Sequence, residues 1–140
     1  MPDPRHARAL MDTSLVIDLD RVTTGQLPGE LAISALTLAE LAAGPHATTH
    51  AAERARRQET LQRTEATFET LPFDSGAARA FGQLYSAVAA SGRKARGRRA
   101  VDLMIAATAL AANLPLYTRN PADFAGLSDL LEIEGVELSN

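Results

Sequence analysis

Short apolar runs alternate with longer segments of helical periodicity along most of this 140-residue chain. RALM at 8–11 closes on Asp12 and reads as a first strand, with TSLVIDL after it as a turn and a short helix. ELAIS at 30–34 reads as a second strand, and ALTLAELAAG as the helix that follows, stopped at Gly44 and Pro45. From 47 to 71 apolar positions are sparse and Glu and Arg recur at helical separations, which predicts one or two exposed helices. ETLPFD at 69–74 predicts a third strand at a sheet edge, where Pro72 is tolerated. A helix is predicted over 75–92, with Ser75 as its N-cap and Gly92 near its end. Another is predicted over 100–113, with Val101, Ile105 and Leu110 on its apolar side. LPLYT at 114–118 reads as a strand, and NPADF at 120–124 as a one-turn helix capped by Asn120 with Pro121 first. LEIEGVEL at 131–138 reads as a last strand. Strands alternating with helices predict a three-layer α/β domain built on a parallel sheet covered on both faces.

Composition changes this picture little. The length suits one hydrophobic core, and 46% hydrophobic with 22% charged residues argues against a disordered chain. Alanine is abundant and aromatics make up only 4%, so the core should be small aliphatic side chains on closely packed helices. The absence of cysteine excludes disulfides, thiolate catalysis and thiolate zinc sites, and fits a reducing cytoplasm. No apolar run approaches the roughly 20 residues that span a bilayer, and MPDPRHARAL lacks the apolar stretch of a secretory signal. Residues 1–8 read as a flexible leader to a single domain within 1–140, with Met11 a second candidate start.

Charge adds more. A net charge of -3 excludes a generically basic nucleic-acid binder. Yet Arg93, Lys94, Arg96, Arg98 and Arg99 crowd into SGRKARGRRA, just before Asp102. Alone, such a run reads as a solvated loop; beside an acidic site it would suit a phosphodiester.

Four acids share a kind of location. Asp12 ends the first strand, Glu40 lies in the first turn after the second, Asp102 opens the helix before LPLYT, and Asp123 follows that strand near the amide Asn120. Groups beyond the carboxyl ends of parallel strands converge on one crevice. Each acid also has a local explanation. Thr37-Leu38-Ala39-Glu40 matches a capping box, Asp102 could be a cap or a first-turn dipole partner, and Asp123 would suit the third position of a short helix. Asp12 is harder to explain locally, since a carboxylate closing a buried strand must be hydrated, paired or metal-bound. Capping does not explain why all four junctions face one rim, and converging carboxylates need a neutralising partner such as Mg²⁺ or Mn²⁺. His6, His46 and His50 fall in the leader or the sparse region and read as surface residues.

The ordered set MDTSLVIDL, ISALTLAELAAG, RRAVDLMIAATALAANLPLYTRNPADF and EGVEL resembles a PIN domain, and more narrowly the VapC toxins of bacterial toxin–antitoxin pairs. The match runs from residue 9 to the end, with 45–95 generic. The resemblance implies a five-stranded parallel sheet flanked by helices and a Mg²⁺- or Mn²⁺-dependent endoribonuclease that hydrolyses RNA through metal-activated water. It implies catalytic roles for Asp12, Glu40, Asp102 and Asp123, with Asp12 and Asp102 as direct metal ligands and Glu40 and Asp123 acting through water. Thr118 would orient a carboxylate or water. The fourth acidic position varies in the family, and here Asn120 holds the nearer site and Asp123 the farther. Arg93, Lys94, Arg96, Arg98 and Arg99 would grip the RNA backbone. The resemblance further implies a cognate antitoxin, a homodimer and DNA contact only through the antitoxin, with the helices between 47 and 90 offering the contact faces.

Two other readings fit some of these residues. MDTS after a strand is also the start expected of an aspartyl-phosphate enzyme, although the further aspartate and lysine partners are missing. A PIN-like domain that kept its acids only as caps would instead be a catalytically inactive binding module for an antitoxin-like peptide or RNA.

Overall fold

The computed structural model describes residues 2–139. Five strands form one parallel sheet: β1 (Arg8–Met11), β2 (Glu30–Ser34), β3 (Glu69–Leu71), β4 (Leu116–Thr118) and β5 (Ile133–Gly135), in the order β3-β2-β1-β4-β5. The helices are α1 (Thr13–Ile17), α2 (Ala35–Ala43), α3 (Ala51–Thr67), α4 (Ser75–Ala90) and α5 (Arg98–Ala111), with 3-10 turns that include Pro121–Phe124. This is the three-layer α/β fold with five parallel strands that the sequence predicts. None of these helices is long and apolar enough to cross a membrane.

The period-two geometry of strands sorts the core into two layers. Leu10, Ala32 and Leu116 point to one face, where they meet Leu84 and Val88 of α4 and Leu103, Ala106 and Ala107 of α5. Their neighbours Ala9, Met11, Ile33 and Tyr117 point to the other face and pack on Leu15, Val16 and Leu41. Ala106, Ala107 and Ala109 of α5 are fully buried, which lets this helix lie close to the sheet. Strand order reverses between β1 and β4, so the crevice beyond the carboxyl ends of those strands is the natural site.

Several boundaries differ from expectation. The N-cap of α4 is Asp74, whose carboxylate accepts from the Ala77 amide at 3.0 Å, and not Ser75. Asp74→Ala is expected to cost about 1 kcal/mol, measurable as a lower urea midpoint with an unchanged slope. The 47–71 region holds one 17-residue helix, α3, and its exposed face carries the pairs from Glu53 to Arg56 and Arg57. The strands at 114–118 and 131–138 shorten to β4 and β5, because pairing covers only three residues of each.

The flexible-leader expectation is corrected for residues 3–6. Asp3 is buried, its amide donates to Leu27 carbonyl at 2.6 Å, and its carboxylate accepts from Arg5 and from the hydroxyl of buried Tyr117. Those donors hold the Asp3 carboxyl well below the usual range, while burial, above all, pushes the Tyr117 phenol up. His6 is half-buried, edge-on to Tyr117 and paired with Glu132 and Glu134, so it is not the free surface residue expected. His46 and His50 are exposed. The central strand also needs Arg8–Leu10, which a chain begun at Met11 would lack.

Candidate active site

Asp12 follows β1 at the switch point and is 4% exposed. It caps α1, accepting at Oδ1 from the Leu15 amide at 3.0 Å. The Thr118 hydroxyl donates to its Oδ2 at 2.6 Å, and the Ser14 hydroxyl reaches both oxygens at 2.8 and 2.9 Å. Burial still dominates and raises the Asp12 pKa, with those donors opposing it. A carboxylate so fully engaged makes a poor nucleophile, which counts against a phospho-aspartyl enzyme.

Asp102 is 6% exposed and lies a full turn inside α5, so it neither opens nor caps that helix. Gly97 holds the cap position, in a left-handed conformation with φ of 55° that favours glycine. The helix starts early because the basic segment continues into it: Arg98 and Arg99 are its first two residues. Burial, followed by the nearby charges of Asp123, Asp12 and Glu40, pushes the Asp102 carboxyl up to about 6 against the attraction of Arg98. The other three acids therefore act on Asp102 across the crevice.

Glu40 also loses its local explanation. Ser34 caps α2, accepting from the Thr37 amide at 3.1 Å, which places Glu40 in the second turn and not at a capping-box position. Its carboxylate instead accepts from the Thr13 hydroxyl at 2.6 Å and pairs with the Arg98 guanidinium, whose Nε also lies 3.6 Å from Asp102. Thr13 and Thr37 are buried with their hydroxyls 3.0 Å apart. Asp123 and Asn120 are exposed in the turn after β4, and the Asn120 side chain makes no capping bond. The Asn120 amide donates to Thr118 Oγ1 at 2.9 Å, so Thr118 links the turn to Asp12. Thr13 and Ser14 were missed as supporting residues; two hydroxyls directly after a strand-ending aspartate were the available signal.

Every candidate donor here is a carboxylate, hydroxyl or amide oxygen, the set preferred by hard divalent cations. The Asp102 carboxyl, raised first by burial and then by three neighbouring acids, is a group whose charged form such a cation would stabilise, so the residues fit it. Arg98 supplies part of that countercharge, and no three of the acids bring oxygens within 4.8 Å of one another. Among the described residues, the metal-ligand side chains that do so are His6, Glu132 and Glu134. They lie at the amino ends of β1 and β5, opposite the crevice, and Arg5 already pairs with Glu134 at 3.1 Å.

A groove of about 520 Å³ opens beside Thr13 and Glu40, lined also by Ile17 and Leu41 and by Arg56 and Arg57 of α3. Arg93, Lys94, Arg96, Arg98 and Arg99 are all exposed; Arg98 alone of these five pairs with the site acids.

A PIN-domain family model matches residues 9–129. The chain is 37% identical over 131 residues to ribonuclease VapC5 of Mycobacterium tuberculosis, covering 91% of this chain and 93% of that one. The crystal structure of the toxin–antitoxin member VapBC-5 from Mycobacterium tuberculosis contains a chain that superposes with a TM-score of 0.81 at 37% identity, over 95% of this chain and 100% of that one. VapBC2 from Rickettsia felis, bound to a DNA fragment from its promoter, matches in fold with a TM-score of 0.72 at 20% identity, over 93% and 99% of the chains. The chain belongs to the PIN-domain family, where its resemblance is to the VapC proteins.

Proposed function

We propose that this protein is the toxin of a toxin–antitoxin pair and cleaves RNA internally as a Mg²⁺- or Mn²⁺-dependent endoribonuclease. The observation that carries the reading is Asp102, buried a turn inside α5, with its carboxyl raised to about 6 by burial and by carboxylates from three other elements. The name of the VapC5 relative, a ribonuclease, and the toxin–antitoxin nature of VapBC-5 supply the substrate class and the partner class.

Asp12 and Asp102 are the residues that would hold the cation directly. A cation there would supply charge to the scissile phosphate and favour ionisation of a water. Thr118, Ser14 and the Leu15 amide fix the Asp12 carboxylate before anything binds, so little ordering remains at the moment of reaction. Thr13 orients Glu40, and exposed Asp123 faces solvent at the rim; both suit the positioning of the attacking water. Arg93, Lys94, Arg96 and Arg99 offer cations to the RNA backbone, and Arg98 balances the acids. An antitoxin segment carrying a cation would block this site by pairing with the same carboxylates. A homodimer, DNA contact only through the antitoxin, and action in the cytoplasm belong to the same reading.

The test is incubation of the purified, antitoxin-free protein with total cellular RNA in Mg²⁺, in Mn²⁺ and in EDTA. Discrete fragments that need the cation, and that return when EDTA is overtitrated, are expected. A folded protein that leaves RNA intact in both cations would favour the inactive binding module.

A further inference from the structure

Tyr85 is a large side chain left 50% exposed on α4, in a protein with very few aromatics. Its ring is braced by half-buried Phe81, with centroids 6.1 Å apart and planes inclined at 36°. Around it lies a hollow of about 400 Å³ lined by Ala89, Gly92, Arg93, Lys94, Ala95 and Arg96. Among the described residues, none of these three cations pairs with a carboxylate, whereas Arg5, Arg8, Arg56, Arg57, Arg63, Arg98 and Arg119 all do. The hollow therefore joins an aromatic ring to uncompensated positive charge. Arg93 also lines the adjoining small cleft with Arg99, Leu103, Asp123 and Phe124, which connects the hollow to the acidic rim.

We infer that this hollow binds an unpaired nucleotide of the RNA, its base stacked on Tyr85 and its flanking phosphates held by Arg93, Lys94 and Arg96. The inference rests on the ribonuclease reading and extends it to the form of the substrate. A duplex keeps its bases stacked on one another, so an aromatic platform selects single-stranded segments. Stacking on a ring tolerates any base, and the cations add affinity without sequence information. The path past Arg93 and Arg99 to Asp123 would lead the strand from this anchor to the carboxylates.

The experiment uses Asp102→Asn protein, which is expected to hold RNA without cutting it, and a short fluorescent single-stranded RNA of mixed sequence. Fluorescence anisotropy across a salt series gives the affinity and its slope. Tyr85→Ala is expected to weaken binding about tenfold with an unchanged salt slope, and Tyr85→Phe to stay within about twofold. Replacing Arg93, Lys94 and Arg96 together by Gln should flatten the slope by about two, near 0.7 for each phosphate contact on a single strand. The same RNA annealed into a duplex should bind more weakly than the single strand and be indifferent to Tyr85→Ala. Unchanged single-strand affinity in Tyr85→Ala would overturn the inference while leaving the nuclease reading intact. So would a change only in oligomeric state by light scattering, which would assign the ring to a contact between copies. If the Asp102→Asn protein binds no RNA at low salt, the ribonuclease reading falls, and this inference with it.

Discussion

Asp102→Asn is expected to abolish RNA cleavage while making the protein more stable. Losing the carboxylate removes a ligand whose cation would be worth several kcal/mol to the transition state, or about 10³-fold in rate. Stability moves the other way because Asp102 is buried among like charges and its folded carboxyl lies near 6, above the unfolded value of 3.8. A carboxyl raised on folding favours the native state when protonated, and that advantage is lost as pH rises through the folded value. In EDTA at pH 7 the buried charge then costs roughly 3 kcal/mol, which Asn avoids. Thermal melts should place the variant above the parent at pH 7, with the gap closing toward pH 4. A variant that is inactive and less stable at pH 7 would mean Asp102 is held by stronger partners than Arg98.

Thr118→Val should lower cation affinity and cleavage together, by about 10- to 100-fold, without touching a candidate ligand. The buried hydroxyl donates to Asp12 at 2.6 Å and accepts from the Asn120 amide at 2.9 Å, and valine can do neither. The Asp12 carboxyl, already raised by burial, would rise further once that donor is gone. Leaving buried polar groups unpaired should also cost about 1–3 kcal/mol of stability. Thr118→Ser keeps the hydroxyl and should recover most of both losses. If valine lowers stability but leaves Mn²⁺ affinity unchanged in an isothermal titration, Thr118 supports the fold and not the site.

The sheet was legible because strand alternation and helix periodicity agree along most of the chain. Runs such as RALM and ELAIS carry no competing pattern, and both became central strands. The edges were less legible. LEIEGVEL carries apolar residues at 131 and 133 and again at 136 and 138, yet only Ile133–Gly135 pair, since the partner strand is no longer than that. The convergence of the acids followed from parallel topology alone. Their local geometry did not, because a helix can start several residues before the position its pattern suggests. Asp74, Ser34 and Gly97 took the cap positions, and this freed Glu40 and Asp102 from the duties that their sequence context suggested. The role of Arg98 was hidden for the same reason. Within SGRKARGRRA it reads as one cation of several, and only the early start of α5 turns it toward Glu40 and Asp102. The N-terminal residues were misread because Asp3 and Arg5 look solvated in sequence, while the buried Tyr117 hydroxyl that requires a partner lies 114 positions away.

The central claim is that acids from four separate elements form one divalent-cation site at the β1–β4 crevice. Anomalous diffraction from crystals of this protein soaked in Mn²⁺ tests it most directly. A peak within ligand distance of Asp12 and Asp102, absent from Asp102→Asn crystals, is expected. A peak only beside His6, Glu132 and Glu134, or none at all with the site open to solvent, would contradict it.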